Sequence, residues 1–124
     1  MNKFSLRKRI KSTTHAWRGF GVFIKRTHNA WLQIFFALCA LYMGYLFSIS
    51  TTEWLFIIFA IGLVITTEIL NTAIEIDIDL TSPDLHPFAR DTKDVAAAGV
   101  LFSVLIAGVI GLIIFLPKIL LLIK

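Results

Sequence analysis

The stretch TTEILNTAIEIDID, residues Thr66–Asp79, places four carboxylates at the end of a long apolar segment. They belong to Glu68, Glu75, Asp77 and Asp79. Ionisable side chains inside a bilayer are costly, and where they occur they usually have a function. The alternative is that they pair across helices and hold an oligomer together. The stretch therefore indicates a membrane helix that carries a candidate site.

A helical register sorts these side chains onto two faces. Glu68 and Glu75 share one face and lie about 10 Å apart along the helix axis. Asn71 and Asp79 fall on or near that face, whereas Asp77 points about 180° away from Glu68. We call Glu68, Asn71, Glu75 and Asp79 the polar column. Two glutamates and an asparagine on one stripe are more than interhelical packing requires, which favours a functional role.

The composition is that of one small membrane domain. Of the 124 residues, 57% are hydrophobic and 16% are charged, and the mean hydropathy is +0.82. Three apolar segments each approach the ~20 residues that a bilayer-spanning helix needs. They cover residues 31–49, 54–79 and 95–117. We therefore predict an all-α membrane protein in which residues 1–124 form a single domain.

An uneven distribution of positive charge predicts the orientation of these spans. Eight of the twelve basic residues precede the first span, and Arg90 and Lys93 precede the third. The eight are Lys3, Arg7, Lys8, Arg9, Lys11, Arg18, Lys25 and Arg26. By the positive-inside rule the N-terminus is cytoplasmic and the C-terminus lies outside, although Lys118 and Lys124 argue mildly against this. An anionic membrane leaflet is favoured over nucleic acid as the partner of the basic segment.

The N-terminal segment predicts an amphipathic helix that lies on the membrane surface over residues 4–26. Its apolar side chains recur at intervals of three and four residues, and basic side chains occupy other positions. Trp17 and Phe20 on the apolar side suit the interface between water and lipid.

The connection between the second and third spans predicts a short polar loop from Asp79 to Lys93. Pro83 and Pro87 prevent a helix from continuing straight from one span into the next. Asp91 and Asp94 would then begin the third helix, where carboxylates suit the positive end of the dipole, so a capping role is an alternative to binding. The loop brings its charges next to the polar column.

The polar column has side chains suited to phosphoryl transfer. Carboxylate and amide oxygens are ligands for Mg²⁺, which commonly binds through one or two carboxylates together with substrate phosphates. A carboxylate deeper in the membrane is a candidate general base for a lipid hydroxyl. Arg90, Lys93 and the basic N-terminal helix can bind nucleotide phosphates. A small ion or multidrug transporter is an alternative, but it would not need acids, an amide and a Lys-Asp set clustered at one face.

Several motifs together resemble one known family. EILNTAIE with Asp79, then SPDLHP and KDVAAAGV, and AWRG in the N-terminal helix resemble the bacterial integral-membrane diacylglycerol kinase family, which includes undecaprenol kinases. The resemblance covers nearly the whole chain. It implies a homotrimer in the bacterial inner (plasma) membrane, with active sites between subunits, that uses ATP and Mg²⁺ to phosphorylate a lipid hydroxyl at the cytoplasmic face. Diacylglycerol and undecaprenol both present such a hydroxyl, so the sequence leaves the lipid open.

The resemblance also implies roles for individual residues. Glu68 is expected to be the catalytic base and Glu75 a metal ligand, with Asn71 and Asp79 as supporting residues. The predicted nucleotide-binding residues are Lys93, Asp94, Arg90, Lys8 and Trp17.

One position departs from the family pattern. The family has a second metal-binding glutamate before the first span, in E-x-N-x-x-x-H/Q, and this chain reads RTHNAWLQ. Anchoring on Asn29 places Thr27 where that glutamate is expected, and neither Thr27 nor His28 replaces a carboxylate on Mg²⁺ like for like. The alternatives are weaker or different metal use, compensation by Asp91 or another acid, or a homologue without kinase activity that acts as a structural membrane partner. An active kinase is the favoured interpretation.

Overall fold

The computed structural model describes residues 4–84 and 86–124, and these residues form four α-helices. The helices are α1 (Leu6–Arg26), α2 (Ala30–Leu46), α3 (Thr51–Thr81) and α4 (Pro87–Ile123). The most extensive packing is between α3 and α4. Helices α1 and α2 make smaller contacts with α3 and with each other. The predicted all-α class is confirmed.

Two of these helices, α3 and α4, are each long and apolar enough to cross a membrane. In the described part of the chain a third span is obtained if α1 and α2, which meet at a bend of 104°, are counted as one broken span. The structure therefore supports two or three spans in a membrane protein. The predicted helix over the N-terminal segment is α1, and its place on the membrane surface stays a prediction. Lys3 of the predicted basic segment lies outside the described residues.

The turn between α2 and α3 begins earlier than the sequence pattern predicted. Helix α2 ends at Leu46 rather than near residue 49, and Ser48 adopts a left-handed φ of 49° that breaks the helical path. Ser50 then caps α3, because its hydroxyl accepts from the Glu53 N–H and the Glu53 carboxylate accepts from the Ser50 N–H. This capping box fixes the first turn of α3.

The predicted loop from Asp79 to Lys93 is wrong at both ends. Helix α3 continues to Thr81 and α4 already begins at Pro87, because a proline at the first helical position needs no N–H partner and has a suitable φ. The cap of α4 is His86, whose Nδ1 accepts from the Phe88 N–H at 3.1 Å.

The capping role considered for Asp91 and Asp94 is therefore wrong, since the first turn of α4 contains no acidic residue. Both aspartates, together with Arg90 and Lys93, lie on α4 instead. Leu85, which belongs to the predicted loop, lies outside the described residues.

Close packing is concentrated near the α2–α3 turn. Ile49 and Ile57 pack against Ile114 and Phe115 of α4. Most large apolar side chains elsewhere are exposed, as expected for a chain whose apolar surface meets lipid or further protein.

Gly44, near the end of α2, leaves space for the ring of Trp54 on α3. A Cβ at Gly44 would lie 2.6 Å from Trp54 Cη2, so any other residue here would push that ring aside.

An ion pair joins α3 and α4 at the same end of the molecule. Lys118 Nζ lies 2.6 Å from Glu53 Oε2 and also donates to the carbonyl of Ile114 at 3.0 Å. We call this region the Glu53 end of α3 and the opposite one the Asp79 end.

Candidate functional site

The polar column runs along α3 from a buried part to an exposed part. Glu68 and Asn71 are only 5% and 8% exposed, whereas Glu75 and Asp79 are exposed. The predicted shared face is confirmed for Asn71 and Glu75, because Asn71 Nδ2 donates to Glu75 Oε1 at 3.4 Å. Buried polar groups therefore give way to charged groups towards the Asp79 end.

Two polar links connect Glu68 and its helical turn to the α1–α2 region. Gln33 Nε2 of α2 donates to Glu68 Oε2 at 3.2 Å. The Thr72 hydroxyl donates to the Glu68 carbonyl at 3.0 Å, so the Thr27 hydroxyl, 2.7 Å away, must act as donor to Thr72. One link starts at the bend between α1 and α2 and the other in the first turn of α2, and both reach the buried part of α3 around Glu68.

Asn71 offers a free acceptor beside Glu75. Asn71 Oδ1 is buried and has no hydrogen-bond partner among the described residues. Buried polar atoms in proteins are nearly always paired, so Asn71 Oδ1 calls for a further partner, for which a ligand, an ordered water and a second chain are the candidates. The Glu75 carboxylate and the Asn71 amide oxygen are hard donors of the kind that Mg²⁺ binds, and this ion needs few protein ligands when phosphates supply the others; Asn71 presents Nδ2, not Oδ1, to Glu75 in this structure. Within residues 4–84 and 86–124, no three acidic, histidine or cysteine side chains form a ready-made metal site.

A cleft of about 180 Å³ lies beside the exposed part of the column. It is lined by Arg26, Thr72, Glu75, Ile76 and Asp79. The last residue of α1 thus contributes a guanidinium to the same cleft as two carboxylates. Such a mixture can bind phosphate through Arg26 and a divalent cation through the acids.

The predicted nucleotide-binding residues of α4 lie near the Asp79 end. Lys93 Nζ is 2.6 Å from Asp79 Oδ1, which places this lysine against the polar column. Arg90 and Asp94 form an exposed pair at 3.9 Å.

A second cleft, of about 480 Å³, lies at the start of α4. It is lined by His86, Pro87, Arg90, Asp91 and Asp94. Asp91 thus lines this cleft and is not among the residues that line the one containing Glu75. This placement gives no support to compensation by Asp91 for the missing glutamate.

Two predicted nucleotide contacts lie apart from this assembly. Within the described ranges, no hydrogen bond or ion pair links the side chain of Lys8 or Trp17 to the polar column. Lys8 is in the first turn of α1, about 27 Å along the helix axis from Arg26. Of the two candidates for the missing glutamate, Thr27 is half-buried against α3 and His28 is exposed in the turn.

Three residues of the site, Gln33, Thr72 and Arg26, were assigned no site role from the sequence, although Gln33 fills the last position of the E-x-N-x-x-x-H/Q pattern. Gln33 could have been found, because it is a polar residue inside the otherwise apolar segment 30–47. Thr72 lies four residues after Glu68 and so shares its face. No spacing or polarity pattern in the sequence indicates Arg26, because its place beside Glu75 depends on the bend between α1 and α2.

Comparison with known proteins relates the chain to membrane lipid kinases. The sequence profile of the family described as prokaryotic diacylglycerol kinase matches residues 14–115. An undecaprenol kinase of Bacillus subtilis (strain 168) is 39% identical over 113 residues, which is 91% of this chain and 92% of that protein. A diacylglycerol kinase of Helicobacter pylori (strain 26695) is 37% identical over 60 residues, covering 45% of this chain and 47% of that protein.

Proposed function

This chain belongs to the prokaryotic diacylglycerol kinase family, and on that premise we propose that it transfers the γ-phosphoryl group of ATP to the hydroxyl of a membrane lipid. The observation that supports this most is Glu68, a carboxylate only 5% exposed on a helix that is long and apolar enough to cross a membrane. A buried carboxylate at this depth can meet the hydroxyl of a lipid whose chain lies alongside the apolar helices.

Glu68 acts as the general base in this proposal. As the lipid hydroxyl oxygen bonds to the γ-phosphorus, its proton passes to the Glu68 carboxylate, and the bond from that phosphorus to the bridging oxygen breaks. The products are the phosphorylated lipid and ADP, and Glu68 later releases the proton to water. The apolar surroundings of α3 keep water away from the phosphoryl group, which limits hydrolysis of ATP.

Glu75, which lines the cleft, would hold Mg²⁺ there, and Asn71 would add its Oδ1 by turning its amide, which now presents Nδ2 to Glu75. When bound, the ion neutralises charge on the phosphates of the nucleotide. Thr27 supplies no carboxylate, so we propose that the nucleotide phosphates and Glu75 provide most of the negative charge that surrounds the Mg²⁺ ion.

The cations around the cleft orient the nucleotide. Arg26 lines the cleft that contains Glu75 and Asp79, and Lys93 is already in contact with Asp79. We propose that Lys93 and Arg26 bind phosphate oxygens and that Arg90 and Asp94 contact the nucleotide further along α4.

Among lipid alcohols, we propose an undecaprenol-like acceptor over diacylglycerol. The similarity to the Bacillus undecaprenol kinase extends over nine-tenths of both chains, whereas the Helicobacter diacylglycerol kinase matches less than half. The exposed apolar side chains of α3 and α4 accept either kind of tail, so the preference rests on the extent of the similarity.

The protein is proposed to work in the bacterial inner membrane with its N-terminus and the Asp79 end at the cytoplasm. ATP is available on that side, and the basic residues of α1 favour it. A homotrimer with active sites between subunits is also proposed, because one chain leaves the cleft beside Glu75 open and much apolar surface exposed.

A direct assay tests the proposed function. Purified protein is incubated with radiolabelled ATP and Mg²⁺, and with undecaprenol or diacylglycerol in mixed micelles. We expect label in the lipid fraction, with a higher kcat/KM for undecaprenol. Absence of labelled lipid with both alcohols, in a sample that is folded and oligomeric, would overturn the proposal.

A further inference from the structure

Gln33 is an isolated polar residue on the inward side of α2. This helix directs one stripe towards the rest of the chain, and its other members are apolar or small. The stripe includes Ala30, Gln33, Ile34, Ala37, Cys39, Ala40, Met43 and Gly44. Placing an amide there is costly unless its hydrogen bonds are made, so the residue needs a partner or a role.

The partner of Gln33 is the buried carboxylate of Glu68. An ionised carboxylate only accepts hydrogen bonds, so the amide must direct Nε2 towards it. Nε2 lies 3.2 Å from Glu68 Oε2. The opposite atom, Gln33 Oε1, is buried and has no partner in the described part of the chain. The amide thus leaves one of its own atoms unpaired while it holds the carboxylate.

We propose that Gln33 is a positioning residue for the general base. Its hydrogen bond holds Oε2 of Glu68 in place, so that Oε1 is the oxygen that meets the lipid hydroxyl. This role rests on the proposed kinase function. A carboxylate can rotate about its last side-chain bond, and a fixed orientation matters because small misplacements of reacting atoms slow catalysis strongly.

A purely structural role is the competing explanation, since amides and hydroxyls also join helices in membranes. The chain offers a matched control for that role. Thr67 Oγ1 lies 2.8 Å from Ser103 Oγ, where it joins α3 to α4 one residue before Glu68. Ser103 is 2% exposed, so this link is as buried as the one to Glu68.

The first test compares Gln33→Met, which keeps the length of the side chain and removes the amide, with Thr67→Val. We expect Gln33→Met to lower kcat by about 10- to 100-fold, with KM for MgATP within twofold of the wild-type value. Thr67→Val should lower thermal stability in detergent and leave kcat within about twofold. Equal effects of the two substitutions on kcat would show that Gln33 only joins helices.

A double-mutant cycle shows whether Gln33 acts through Glu68. In the Glu68→Gln background the base is absent, so adding Gln33→Met should change the residual rate by less than twofold. The same fold-loss in both backgrounds would overturn the proposal. Gln33→His, which keeps a ring N–H donor, should recover part of the activity that Gln33→Met loses.

A spectroscopic experiment tests the contact between Gln33 and Glu68 without any assay of activity. Gln33 is the only glutamine in the sequence, so selective ¹⁵N-glutamine labelling of the wild-type chain gives one side-chain amide signal. We expect Glu68→Asp, which shortens the acid, to shift this signal and Thr67→Val to leave it in place. An unmoved signal in Glu68→Asp would refute the contact, even if no lipid substrate were found. If the contact is present but the wild-type protein phosphorylates neither lipid, it is the proposed function that fails.

Discussion

At the Glu53 end of α3, both carboxylate oxygens of the acid have partners: Oε1 accepts from the Ser50 N–H at 3.1 Å and Oε2 from Lys118 at 2.6 Å. In the polar column, Asn71 Oδ1 has no partner among the described residues, although it is buried. One helix therefore has a fully paired polar cluster at one end and an incompletely paired one further along. Complete pairing stabilises a fold by itself, whereas a buried unpaired atom calls for a further partner, such as a ligand or an ordered water. We therefore infer that the cluster around Glu53 has a structural role and that the polar column has a catalytic or binding role.

The largest effect should come from removing the base in the incompletely paired region. Glu68→Gln keeps the size of the side chain but cannot accept the proton, so kcat should fall by roughly 10²-fold or more. Binding of MgATP, measured by titration calorimetry in detergent, should stay close to wild type because the phosphate site is intact. Retention of full lipid phosphorylation in this variant would remove Glu68 from the mechanism.

A smaller effect is expected from the next acid along the column. Glu75→Gln removes a charged ligand for Mg²⁺, so we expect Mg²⁺-dependent nucleotide binding to weaken by about 10-fold or more. The measurement is a Mg²⁺ titration of nucleotide affinity. Glu68→Gln serves as the control, because the two glutamates should fail in different ways although they share a helix face. Identical behaviour would mean that base and metal site are not separated along the column.

Position 27 offers a gain of function. Thr27→Glu restores a carboxylate close to Thr72, at the edge of the cleft that Glu75 lines. A second acid strengthens binding of a divalent cation, so activity at limiting Mg²⁺ should rise severalfold and activity at saturating Mg²⁺ should change less. Thr27→Gln, of equal size and without charge, is the matched control. A rise of the same extent in both variants would point to size rather than metal binding.

A substitution at the fully paired Glu53 end should lower the stability of the fold and leave the rate of catalysis unchanged. Glu53→Gln removes the ion pair with Lys118 but keeps the length of the side chain. Because partly exposed ion pairs contribute little, the thermal midpoint in detergent should fall by a few degrees at most. The rate of lipid phosphorylation should stay within about twofold. A tenfold loss of activity would break the distinction between the two ends of α3.

The sequence predicted the helical architecture and the polar column because both depend on local spacing. Apolar length and the seven-residue interval between the glutamates need no knowledge of tertiary contacts. The beginning of α4 is not evident from the sequence, because a proline fits both a helix break and the first helical position, which Pro87 occupies. Gln33 stands out as a polar residue in an apolar segment, but its contact with Glu68 and the place of Arg26 could not be predicted, since both depend on how α1 and α2 pack against α3.

The smallest effect is expected at Asp77, which lies between the acids of the polar column in sequence but on another face of the helix. Asp77 is exposed, and the hydrogen bond recorded for it uses its backbone carbonyl, which accepts from the Thr81 hydroxyl at 2.8 Å. Asp77→Asn preserves that carbonyl, so kcat, Mg²⁺ dependence and thermal midpoint should all stay within error of wild type, measured beside Glu75→Gln. The two variants remove the same charge two residues apart, so any difference between them isolates the direction of the side chain. Loss of activity in Asp77→Asn with full activity in Glu75→Gln would move the site to the other face of α3 and exclude the cleft beside Arg26.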